Sequence, residues 1–278
     1  MRTKGNKAVM KHAATRVPSR ECRVRWMLAA LLCAPALALA SESVRLDRLP
    51  ADVNPGDLVS LQRGARVYVN YCLGCHSASY MRYNRLQDLG LSEQQIRDNL
   101  ILTEGKVGDL MKIAMDPKSA KEWFGTPLPD LTVIARACVS GDGSGADWLY
   151  SYLRGFYRDA SRPTGWNNTV FPNVGMPHVL YQLQGEQVLK TDVVERRFGP
   201  REQEVERREV RKLALEKPGQ ATPAEYDRMV ADLVNFLVYV GEPARQARVT
   251  LGIYVLIFLA VLFVLAYALK KEFWKDVH

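Results

Sequence analysis

The sequence predicts a mainly α domain with loop and short β-hairpin insertions, followed by one C-terminal transmembrane helix. Three observations predict it. An N-terminal leader is basic and then apolar, helix-periodic segments lie near both ends of the region between residues 41 and 246, and Val249–Leu269 runs 21 residues without a charge. A chain of 278 residues can bury a sizeable core. Its 47% hydrophobic and 24% charged residues are ordinary for a globular protein and exclude wholesale disorder.

The leader spans residues 1–40. Eight basic side chains, ending at Arg25, precede the uncharged stretch Trp26–Leu37 and the small-x-small sequence Ala38-Leu39-Ala40. That is the order of a cleavable signal peptide, and its apolar part is too short to span a bilayer. The leader also carries most of the net charge of +8: residues 41–278 hold 30 basic and 29 acidic groups. A nearly neutral domain has no overall attraction for phosphate backbones, so no nucleic-acid partner is expected.

Residues 41–246 make the exported domain. Leu58–Tyr71 reads as a helix, with Leu58, Leu61, Ala65, Tyr68 and Val69 on one face. It leads into Cys72-Leu73-Gly74-Cys75-His76, the attachment signature of c-type haem. Each thiol adds across one haem vinyl group, so Cys72 and Cys75 are the predicted thioether residues of one covalently bound haem c. His76 then falls beneath the iron as an axial ligand. A zinc site would need a second ligand pair, and a thioredoxin-like pair would not need His76. The domain is therefore expected to be of the cytochrome c type.

The sixth ligand is less determined. Met81 is too close to His76 to cross to the other haem face, and Met229 reads as core. Met111, Met115 and His178 remain candidates beside Met176, which sits in Asn173-Val174-Gly175-Met176-Pro177-His178. Gly175 permits close backbone approach and Pro177 stiffens the loop. A thioether ligand favours ferrous iron and raises the potential.

Glu186–Lys217 is rich in both charges and alternates in a way that predicts two strands joined at Gly199-Pro200, a solvated surface excursion. Pro223–Val240 reads as the last helix of the domain. Thr222 is its N-cap, Glu225 closes a capping box, and Tyr226, Val230, Leu233, Leu237 and Val240 repeat at helical spacing. Gly64 and Tyr68, one turn apart, resemble the Gly-x-x-x-aromatic pair of small cytochromes c that lets the last helix cross the first one closely. The transmembrane helix is assigned to residues 247–270. Its uncharged part spans about 31 Å. Arg245 and Arg248 precede it, and Lys270, Lys271 and Lys275 follow. Export of the domain would leave residues 271–278 as a cytoplasmic tail.

With these features together, the chain resembles cytochrome c1, the haem c subunit of the quinol–cytochrome c reductase, or cytochrome bc1 complex, in its proteobacterial form. The resemblance rests on Arg63-Gly64-Ala65-Arg66-Val67-Tyr68 with Cys72–His76, on Met81–Leu86, on Leu128-Pro129-Asp130-Leu131-Thr132 with Ala135-Arg136, and on Pro163–Asn168 followed by Phe171–Leu180. Glu242-Pro243-Ala244 and Phe273–His278 flank the apolar run in the same way. Two positions depart from the family pattern: Leu128-Pro129 replaces a double proline, and Cys138 replaces the arginine expected to meet a haem propionate. Arg136 is then the candidate propionate partner. The resemblance implies that Met176 is the sixth ligand. It also implies a redox subunit of quinol–cytochrome c oxidoreductase with no catalytic side chain of its own. Its haem would take one electron from the Rieske iron–sulfur protein and pass it to a cytochrome c acceptor during proton-translocating respiration. Cytochrome b would be a further partner, in a dimeric complex of the bacterial inner membrane with the haem domain in the periplasm. The competing expectations are another membrane-anchored monohaem cytochrome c, an oxidase subunit or a shuttle, and a haem-based ligand sensor.

Overall fold

The computed structural model describes residues 46–50, 54–113, 115–198 and 204–276. The expected signal peptide, residues 1–40, and its expected cleavage point lie outside them. The order of elements is α1 (Leu58–Val67) continued by a π-helical turn (Tyr68–Cys72), β1 (Ala78–Arg82), a 3-10 stretch (Tyr83–Leu89), α2 (Glu93–Asn99), β2 (Leu110–Met111), α3 (Pro117–Phe124), α4 (Ile134–Ala137), α5 (Gly145–Arg154), β3 (Phe156–Arg158), β4 (Trp166–Asn168), α6 (Tyr181–Gln184), β5 (Gly185–Phe198), β6 (Glu204–Pro218), α7 (Pro223–Gly241) and α8 (Arg245–Phe273). Among the described residues the sheets are three antiparallel two-stranded pairs, β1–β2, β3–β4 and β5–β6. The molecule is thus mainly helical with small hairpins.

The core is the crossing of α1 and α7. Leu61, Ala65 and Tyr68 from the first pack against Val230, Leu233 and Phe236 from the second, all fully buried or nearly so. Gly64 makes the crossing possible: a Cβ there would collide with the Asp232 carbonyl oxygen and come within 2.7 Å of Phe236 Cβ. The one carboxylate buried in this contact is fully engaged. Asp232 accepts from Ser60 Oγ at 2.7 Å and from Arg63 Nε at 2.5 Å, and Asn235 Nδ2 donates to Ser60 Oγ at 3.0 Å. A buried charge with such partners avoids the penalty of an unpaired one. Both helices start as their sequences dictate. Asp57 caps α1, and Thr222 with Glu225 forms the capping box of α7, with Pro223 in its first turn.

The first helix differs from the uniform one expected over Leu58–Tyr71. After Val67 it widens into a π turn, in which the Leu73 N–H bonds to the Tyr68 carbonyl at 2.9 Å. The extra residue in that turn redirects the chain just where the cysteines begin. The charged segment forms the expected hairpin. β5 and β6 pair from Gly185–Pro218 out to Phe198–Glu204, and the Gly199-Pro200 link lies outside the described residues. Met111, one of the candidate ligands, is a fully buried strand residue, drawn in by pairing of β2 with β1. α8 is 29 residues long, and none of its most apolar window is buried by the rest of the chain. At 1.5 Å per residue it reaches about 44 Å, enough to cross a bilayer.

Candidate functional site

One side of the site is built by backbone. The Cys75 and His76 amides both bond to the Cys72 carbonyl, at 3.0 and 2.8 Å, so the motif closes into a single turn. Tyr68, fully buried against Phe236, donates its hydroxyl to the His76 carbonyl at 2.8 Å and ties that turn to the core. A second strand of chain runs alongside. The Leu131 amide bonds to the Ser77 carbonyl, and the Asp130 carboxylate accepts from the amides of Ser79 and Thr132, each at 2.8 Å. Burial raises the Asp130 carboxyl, but hydrogen bonds from Thr132 and Ser79 outweigh it and hold the group below its ordinary value. This segment puts the Pro129 carbonyl 2.8 Å from His76 Nδ1. A carbonyl only accepts, so Nδ1 is the donor in this contact, which leaves Nε2 as the nitrogen that a metal could take.

The other side is built by side chains. Met176 lies on the loop between β4 and α6, and two buried asparagines organise that loop. Asn168 Oδ1 accepts from the amides of Val170 and Phe171, at 2.8 and 3.2 Å, and its Nδ2 donates to the Tyr152 carbonyl at 2.8 Å. Asn167 Oδ1 accepts from the Asn173 amide at 2.8 Å. Asn173 is the one non-glycine residue with positive φ, 63°, among those described. It holds that left-handed conformation with Arg162, whose Nη2 donates to its carbonyl at 2.9 Å. The Met176 side chain packs beside Phe156, Trp166 and Val174. Its sulfur accepts a hydrogen bond from the Tyr152 hydroxyl at 3.4 Å.

Both segments line one cleft, the first through Cys72, Cys75, His76 and Pro129 and the second through Tyr152, Gly175, Met176 and Pro177. Tyr71, Phe124, Leu128, Trp148, Phe171, Val174 and Val179 complete a mostly apolar lining. Two thiols, an imidazole, a thioether and an apolar lining are a donor set that fits haem c. Burial pushes the Cys72 thiol up to about 12, an environment opposite to that of a reactive redox thiolate.

The remaining candidates fall elsewhere. His178 is buried, stacked on Phe156 with centroids 4.8 Å apart and met edge-on by Trp166. Burial lowers its pKa to about 4, so it is neutral, and it does not line the cleft. Met115 lines a different cleft with Ser77 and Lys112. Arg136 is exposed on α4, its stem beside Gly241, and is not among the cleft-lining residues. Cys138 is a free, partly buried thiol whose pKa burial raises. Sequence reasoning missed Tyr152, Asn167 and Asn168 as site builders. The signal for Tyr152 was present: Trp148, Tyr152 and Phe156 follow one another at intervals of four residues.

A cleft with these groups defines a haem-binding protein of the c type on a helical scaffold with a C-terminal apolar helix. The comparisons are more specific. The sequence model of the Cytochrome C1 family matches residues 53–198 and 218–277. The cytochrome c1 of Allochromatium vinosum is 47% identical over 250 residues, which cover 89% of this chain and 96% of the relative. The protein named ammonia monooxygenase gamma subunit in Nitrosomonas europaea is 49% identical over 256 residues, 92% of this chain and 99% of the relative. The cytochrome c1 of Rhodospirillum rubrum is 28% identical over 80% of this chain and 83% of its own length. The chain belongs to the cytochrome c1 family. Haem c binding and a part in electron transport as a haem subunit of the bc1 type follow from that membership.

Proposed function

We propose that this chain takes one electron from a Rieske iron–sulfur protein and passes it to a cytochrome c, as the haem subunit of a dimeric quinol–cytochrome c reductase with cytochrome b as a further partner. In this reading residues 1–40 are a removed signal and residues 41–246 form the haem domain in the periplasm. Residues 247–270 anchor it in the inner membrane and 271–278 end in the cytoplasm. Cys72 and Cys75 would hold a single haem through thioethers, and His76 and Met176 would ligate its iron. When bound, the haem supplies a one-electron couple. The protein's residues orient it and exclude water: Pro129 fixes the imidazole, Asn167 and Asn168 set the methionine loop, and the apolar wall keeps the local dielectric low.

The observation that carries the reading is that His76 and Met176 line the same mostly apolar cleft as Cys72 and Cys75, with His76 Nδ1 bonded to the Pro129 carbonyl. Purification of the native membrane complex tests it. Cytochrome b and a Rieske protein should co-purify, and haem should stay with this chain through acid–acetone extraction. Met176→Lys should keep the haem, abolish the sulfur-to-iron charge-transfer band of the ferric protein and lower its potential. Co-purification with a terminal oxidase or an ammonia-oxidising enzyme instead would overturn the assignment. Carbon monoxide binding to the native ferrous protein would overturn the six-coordinate site.

A further inference from the structure

The Met176 sulfur is not only placed in the cleft; it is also hydrogen-bonded there. The Tyr152 hydroxyl lies 3.4 Å from it, within range of an O–H···S contact. The ring that carries this hydroxyl is fixed from several directions. Trp148 stacks on it, with centroids 4.9 Å apart and planes 11° apart, and Phe156 meets it edge-on at 5.2 Å. The Tyr152 carbonyl is held by Asn168 Nδ2 at 2.8 Å. Phe156 also stacks on His178, two residues beyond Met176. The donor ring and the accepting sulfur therefore belong to one packed unit, and the distance between them is a property of that unit.

A thioether sulfur has two lone pairs. If one is given to iron, the second can accept from Tyr152 without competition. Donation to that second pair withdraws electron density from sulfur and weakens it as a ligand to the more electron-poor ferric state. We propose that Tyr152 is a positioning and tuning residue for the axial ligand, raising the reduction potential through its hydrogen bond to Met176. This inference rests on the proposed ligand set and adds to it the residue that adjusts it.

The test is Tyr152→Phe in the full-length, haem-loaded protein, which keeps the ring contacts and removes only the hydroxyl. The expected result is covalent haem at the wild-type level and a retained charge-transfer band. The ferric-to-ferrous ratio at fixed potential should rise three- to tenfold, a downward shift of about 28–59 mV for a one-electron couple. A retained band with an unchanged potential would overturn the inference. So would a lost band, because the hydroxyl would then seat the loop rather than tune the sulfur. Failure of the ligand reading shows up separately: the wild-type protein would then have no band that Met176→Lys removes.

Discussion

The two walls of the cleft are made by different means. The His76 wall is contiguous in sequence and held mainly by backbone: one turn from Cys72 to His76, one hydroxyl from Tyr68, and one carbonyl from Pro129. The Met176 wall is assembled from residues between positions 148 and 178, joined by asparagine amides and a run of aromatic contacts. The first wall is anchored directly on the α1–α7 crossing. The second adds a small cluster of its own, Phe156, Trp166 and Val174, while Trp148 and Tyr152 also pack against the main core. The difference teaches that the attachment side can survive damage to the ligand side, whereas damage to the helix crossing should cost both.

The largest effect is expected at that crossing. In Gly64→Ala the new methyl would meet the Asp232 carbonyl and Phe236 Cβ, neither of which is the free end of a flexible side chain. Overpacking of this kind costs about 3 kcal/mol, at the upper end of the usual range. Thermal unfolding of the detergent-solubilised protein should show a sharply lowered midpoint, with less haem-loaded protein in the membrane. A normal midpoint and normal yield would show that the crossing is not the shared foundation. A smaller and one-sided effect is expected for Asn168→Ala. Two amides would lose their acceptor and the Tyr152 carbonyl one of its two donors, in a buried setting. A loss of about 2 kcal/mol is the scale for leaving such groups unsatisfied. Covalent haem should remain while the charge-transfer band melts at lower temperature than in the wild type. If haem attachment falls in parallel with the band, the two walls are not independent.

The same contrast governs what could be read from the sequence. The His76 wall was legible because its chemistry demands a fixed local spacing, Cys-x-x-Cys-His, and the crossing was legible from Gly64 and the helical periods on either side of it. The terminal helix and the charged hairpin were legible from capping residues and strand alternation. The π turn was not, because nothing in Tyr68–Cys72 distinguishes a widened turn from an ordinary one until the motif has to be aimed. On the Met176 wall, Gly175-Met176-Pro177 pointed to the loop that lines the cleft, but the amide bonds of Asn167 and Asn168 depend on the chain folding back on itself and have no sequence period. His178 read as a rival ligand because an imidazole next to a loop methionine looks available. Its stacking on Phe156 and burial become visible only in three dimensions.

The smallest expected effect asks how far the Met176 wall extends. Arg158 lies over the Trp166 ring, 4.0 Å from its centroid, and donates to Glu186 at 2.9 Å; Lys217 donates to the same carboxylate at 3.1 Å. Glu186 and Lys217 pair at the base of the β5–β6 hairpin. The hairpin could therefore reach the ligand loop through Arg158 and Trp166. Hydrogen bonds from Arg158 and then Lys217 lower the Glu186 carboxyl to about 2. Its folded value is depressed below the unfolded one of about 4.3, so its contribution is present above that pH and is lost as pH falls toward 2. Glu186→Gln should accordingly lower the unfolding midpoint slightly at neutral pH, with the difference from wild type shrinking as acid protonates the native carboxylate. The pairs are solvent-facing, so the effect should be close to the limit of measurement. The charge-transfer band is the deciding readout. An unchanged band would confine the Met176 wall to residues 148–178. A band that weakens in Glu186→Gln at neutral pH, and in the wild type on acidification toward pH 2, would make the hairpin base part of the ligand wall.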